Sequence, residues 1–98
     1  MSYLAVLTFD IRNAKSEDYA CADQQLAAIG FAKKLTNSNS STVELPFNTY
    51  AGQFNGTNPS DVWKSLASQA KQALLRCNVH GRLFLVVSDN WAWGTDTF

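Results

Sequence analysis

The first eleven residues set the pattern for the chain. Tyr3 to Ile11 is almost continuously apolar, rich in aromatic and branched side chains, and predicts a buried strand. Arg12 to Lys15 is polar and predicts a loop. Ser16 then stands as a helix N-cap, with Glu17 and Asp18 placing negative charge in the first turn. Tyr19, Ala22, Leu26 and Ile29 follow at helical spacing on one face, and Gly30 closes the helix where a left-handed residue is needed. Phe31 to Thr36 predicts a short strand, its Lys33 and Lys34 marking an exposed edge. Asn37 to Ser41 predicts a loop. Extended character resumes over Thr42 to Phe54, with Pro46 confined to its start, a bulge or an edge.

The second helix carries the strongest signals. Asn58 is placed as N-cap, Pro59 as the first helical residue and Asp61 as a capping acid. Val62, Leu66, Ala70, Ala73 and Cys77 then form a stripe that Trp63 and Leu74 widen. Arg82 to Ser88 predicts a last strand, and Asp89 onward a tail with Trp91, Trp93 and Phe98. The order strand, helix, strand, strand, helix, strand predicts one α+β domain over residues 1–98. Its arrangement is the ferredoxin-like βαββαβ sandwich: a four-stranded antiparallel sheet, two helices on one face, plus a C-terminal tail.

Both faces of the first and last strands are apolar. Tyr3, Ala5, Leu7 and Phe9 back onto Leu4, Val6 and Thr8, and Leu83, Leu85 and Val87 back onto Phe84 and Val86. Two helices cover one face. The other calls for a second copy of the chain, the tail or a ligand, because monomers rarely expose apolar patches of that size. A homodimer through the sheet and tail is the expectation. Trp91 and Trp93, two residues apart, fall on one side of an extended segment and either pack there or offer a platform to a planar ligand.

Composition sharpens this picture. Eight basic residues balance eight acidic ones, and only 16% of the 98 residues are charged. Low, balanced charge favours association and disfavours a disordered tail. Nucleic acid remains a possible partner without support from net charge. No apolar run is long enough to span a membrane, and the N-terminus lacks the features of a signal peptide. Cys21 and Cys77 fall in predicted helices at no metal-binding spacing, which reads as free thiols and a cytoplasmic location.

Candidate chemistry gathers at one end of the sheet. With the last strand antiparallel to the first, Asp10 and Arg12 approach His80 and Arg82. Such a group could position a phosphate, hold a divalent metal or serve acid–base chemistry. Asp89 lies at the other end, so a two-acid site needs a second copy of Asp10. No nucleophile motif and no phosphate-binding glycine loop is present, and the aromatic motif of an RNA-recognition domain is missing.

Val6-Leu7-Thr8-Phe9-Asp10-Ile11, followed by a polar loop and a helix ending at Gly30, resembles the opening of the Cas-two family, the small CRISPR-associated proteins and their VapD-type relatives. Asn48-Thr49-Tyr50-Ala51-Gly52 is loosely similar to that family's third strand, with Ala51 near the place of its acid. The resemblance implies a ferredoxin-like homodimer whose C-terminal segments join the interface. It also implies a metal-dependent nuclease in which Asp10 holds magnesium or manganese. Three functions are therefore expected: a homodimeric binding or assembly module first, then a nuclease using Asp10, then a small-molecule-binding module.

Overall fold

The computed structural model describes residues 1–37 and 39–98. Ser38, inside the expected Asn37–Ser41 loop, lies outside the described residues. The elements are β1 (Ser2–Ile11), α1 (Ser16–Ala27), β2 (Lys34–Thr36), β3 (Thr42–Glu44), β4 (Thr49–Asn55), α2 (Pro59–Leu75) and β5 (Gly81–Ser88). This is an α+β fold with antiparallel sheets. The main sheet runs β4-β1-β5, so the last strand lies beside the first, as the apolar runs predict.

The expected four-stranded sheet is not what forms. The main sheet has three strands, and β2 pairs with β3 in a separate two-stranded sheet. The predicted Thr42–Phe54 strand is broken at Pro46 to Asn48. Asn48 takes a left-handed backbone (φ 63°), and the Thr49 N–H donates to the Pro46 carbonyl at 3.1 Å, closing a turn. The segment before the break therefore joins β2, and the segment after it joins β1. The predicted Phe31–Thr36 strand shortens to Lys34–Thr36. It keeps one bridge to the main sheet, where Ala32 and Ala51 exchange backbone hydrogen bonds at 2.9 and 2.8 Å.

Both helices lie on one face of the sheet. Tyr3, Ala5, Leu7 and Phe9 of β1 meet Ala22 and Leu26 of α1 and Val62, Leu66, Ala70 and Ala73 of α2. Alternation explains this, because every second residue of a strand points the same way. The cap of α2 is the expected one: Asn58 Oδ1 accepts the Asp61 N–H at 2.9 Å, and Pro59 opens the helix. The cap of α1 is one residue earlier than expected. Lys15, not Ser16, is the N-cap, and Asp18 Oδ2 reaches back to accept the Lys15 N–H at 2.9 Å. Gly30 (φ +100°) lets the chain reverse after α1, and the Phe31 N–H returns to the Leu26 carbonyl at 3.0 Å.

The cysteines are not free thiols. Cys21 of α1 and Cys77, just beyond α2, form a disulfide with their Cα atoms 5.9 Å apart. Small residues on the facing sides of the helices, Ala22, Ala70 and Ala73, are fully buried. Disulfides persist in oxidising surroundings, so the ground for a cytoplasmic location is removed. No helix among the described residues is long and apolar enough to cross a membrane.

Candidate functional site

The structure brings together the four residues expected at the sheet end. Asp10 pairs with Arg82 across β1 and β5. Asp10 Oδ1 accepts the Arg82 backbone N–H at 3.2 Å, and Asp10 Oδ2 lies 3.8 Å from the Arg82 guanidinium. The Arg12 N–H donates to the His80 carbonyl at 2.7 Å, which ties the loop after β1 to the turn before β5. Gly81 makes this closeness possible. A Cβ there would collide with the Asp10 carbonyl oxygen.

These residues border a cleft of about 370 Å³ between the sheet end and the C-terminal part of α2. Its apolar wall comes from Leu74, Leu75, Val79 and Leu83. Lys71 of α2 adds a third fixed cation beside Arg12 and Arg82, so the rim holds three cations, one imidazole and one carboxylate. Sequence reasoning missed Lys71 as a site residue because its place in the second helix reads as ordinary charge near a helix C-terminus. The Asp10–Arg82 ion pair is weak, since both side chains are mostly exposed to water. A second, shallower recess of about 420 Å³ shares Asp10 and Arg82 and runs past Thr8 to Phe84 on the outer face.

The donor set suits an anion better than a cation. Magnesium keeps most of its waters and is held by one or two carboxylates, and the carboxylate on this rim, Asp10, lies beside the Arg82 guanidinium. Among the described residues, no three His, Cys, Asp or Glu side chains gather as a metal cluster.

Trp91 and Trp93 stand well away from this cleft. They fold back onto the outer sheet face of their own chain, against Leu4, Leu35 and Ala51, with Val6 and Leu45 alongside. That covers the β4 side of the outer face. The β5 side stays open, with Phe84 66% and Val86 44% exposed. They sit opposite Thr8 and Val6 of β1. The free edge of β5 is partly guarded, since the Trp63 indole N–H donates to the Leu85 carbonyl at 2.8 Å.

A second polar cluster was not foreseen. The buried Tyr50 hydroxyl donates to Asp23 Oδ1 of α1, and Lys33 lies 3.9 Å from the other Asp23 oxygen. Burial first, and then the Asp23 carboxylate, push the Tyr50 phenol well above the ordinary tyrosine range. Phe9 and Tyr19 extend this cluster as stacked rings. Nothing in the spacing of Asp23, Lys33 and Tyr50 signals their meeting, because they lie on α1, just before β2 and on β4.

No protein-family model matches this chain, and no curated protein matches it.

Proposed function

We propose that this chain is a small binding and assembly module that works as a homodimer, joined through the outer face of its sheet. The single observation that carries this is the bare β5 side of that face. Phe84 and Val86 lie exposed beside a tryptophan cluster that covers only the other half. A second copy suits the strip for two reasons. Its members Val6, Thr8, Phe84, Val86 and Ser88 are uncharged, and its only charges, Asp10 and Arg82, sit together at one end. A two-fold axis across the strands sets those ends apart, so like charges do not meet, and each copy presents the same strip. A stable dimer buries roughly 800 Å² per partner, which requires the tryptophan-covered half to join the contact.

In this reading the fold is a ferredoxin-like arrangement whose second strand has drawn away from the main sheet, leaving the Ala32–Ala51 bridge as its remnant. That strand order supports the resemblance to Cas-two proteins. Phe84→Lys tests the proposal. It places a charge in the centre of the strip and is expected to yield a monomer in sedimentation. A variant that sediments like the unaltered protein refutes it.

Nuclease activity is a second reading, supported by Asp10 lying on the same strand face as Thr8 and Val6. A two-fold axis along the strands, in place of one across them, would bring two such carboxylates into one interface. Cleavage of RNA or DNA with magnesium or manganese that disappears in Asp10→Ala supports it. Cleavage unchanged in that variant removes Asp10 from the chemistry.

A further inference from the structure

We propose that the cleft at the sheet end binds a small organic anion: a phosphate monoester carried on an apolar, ring-sized body. The inference does not rest on self-association, because the cleft is complete within one chain.

Three properties point to that ligand. The first is the excess of positive charge. Arg12 in the loop after β1, Lys71 of α2 and Arg82 of β5 all border the cleft, against Asp10 alone. A phosphate monoester carries close to two negative charges and three acceptor oxygens, which suits several donors converging from different sides. Guanidinium groups add a planar fork that matches phosphate oxygens in pairs.

The second property is the wall. Leu74, Leu75, Val79 and Leu83 line the cleft, and Leu75 is left 42% exposed to water there. A bare inorganic ion would leave that wall wet. An apolar body attached to the anion would cover it, and a cleft of about 370 Å³ lies within the ordinary range for a small-molecule site.

The third property is the role of Asp10. Its Oδ1 is held by the Arg82 backbone N–H, so the carboxylate is anchored without the guanidinium. The guanidinium contact at 3.8 Å is long and solvent-washed. Arg82 is thus kept near the cleft by a weak partner that a phosphate can replace. Asp10 positions Arg82 while the cleft is free and opposes the anion once it arrives.

The test uses phenyl phosphate and the full chain, followed by amide chemical shifts. Phenyl phosphate is expected to shift amides in 9–12, 71–75 and 79–83. Inorganic phosphate should bind more weakly, because it leaves the apolar wall uncovered. Arg12→Gln and Arg82→Gln should each weaken binding about tenfold, the size of one charge-assisted hydrogen bond. Asp10→Asn should tighten it severalfold, since the amide oxygen still accepts the Arg82 N–H while the repelling charge is gone. Lys64→Gln, on α2 but outside the cleft, should change nothing. All four positions are exposed, and circular dichroism checks that each variant folds.

Shifts that map elsewhere overturn the proposal, as do arginine variants that bind like the unaltered protein. Equal affinity for phenyl phosphate and inorganic phosphate overturns the part played by the apolar wall. Phosphatidylcholine vesicles containing phosphatidic acid should not retain the protein. Retention by them, or binding of an oligonucleotide, with no response to phenyl phosphate, replaces a small ligand with a lipid surface or a nucleic acid and refutes the inference.

Discussion

Reducing the Cys21–Cys77 disulfide should cost the fold a large part of its stability. The bridge joins α1 to the turn after α2, across a sequence separation of 56 residues. Closing a loop of that length removes chain entropy from the unfolded state worth about 4 kcal/mol on the loop-closure account. Measured bridges often deliver less, so about 2 kcal/mol is the lower bound of the expectation. Domains of this size hold only about 5–15 kcal/mol in all, so either figure is a sizeable share. Each kcal/mol corresponds to roughly 4 °C or more in Tm at this length, which places the drop at about 8 °C for the lower figure and about 16 °C or more for the higher. The assay is urea unfolding of oxidised and reduced protein side by side, with thiols counted under denaturing conditions. Cys77→Ser in the oxidised preparation should match the reduced protein. Two titratable thiols in protein purified without reductant, or equal midpoints for the two forms, refute the reasoning.

Other outcomes follow from single contacts. Gly81→Ala should destabilise the fold by about 1–3 kcal/mol in urea unfolding, because the new methyl drives into the Asp10 carbonyl and forces β5 away from β1; an unchanged midpoint contradicts the close approach. Trp63→Phe should lose about 1 kcal/mol with the indole hydrogen bond to Leu85, and its freed strand edge should raise aggregation measured by turbidity. The Tyr50 phenol titrates above its unfolded value, so its contribution to stability is complete below about pH 10 and is lost as pH rises beyond that. Tyrosinate absorbance should therefore show one late-ionising phenol that Tyr50→Phe removes.

The legible parts of the sequence were those where local and tertiary signals agree. β1, β5 and α2 announce themselves because their apolar runs, their period and the Asn58-Pro59 cap all point the same way. The meeting of Asp10 and Arg12 with His80 and Arg82 was legible for the same reason. Once the two strands are antiparallel neighbours, register alone brings those residues together. The middle of the chain was not legible. Leu45, Phe47 and Tyr50 read as one extended run, and the turn at Asn48 depends on a left-handed residue whose alternative conformations cost little. The cap of α1 lies one residue early because Asp18 reaches back to accept the Lys15 N–H, which makes Lys15 the capping residue. The disulfide was hidden because Cys21 sits on α1 and Cys77 in the turn after α2, and only the packing of alanines between the two helices sets their distance. Lys71 likewise reveals its place only when α2 is laid across the end of the sheet.

The apolar excess on the outer face is what the account rests on most. The tail covers part of it within the chain, and Phe84 with Val86 leaves the rest for a second copy. Light scattering on a sizing column, over a range of micromolar concentrations, measures this directly. The account predicts a mass twice the 10.8 kDa of one chain. A particle of 10.8 kDa at every concentration contradicts it.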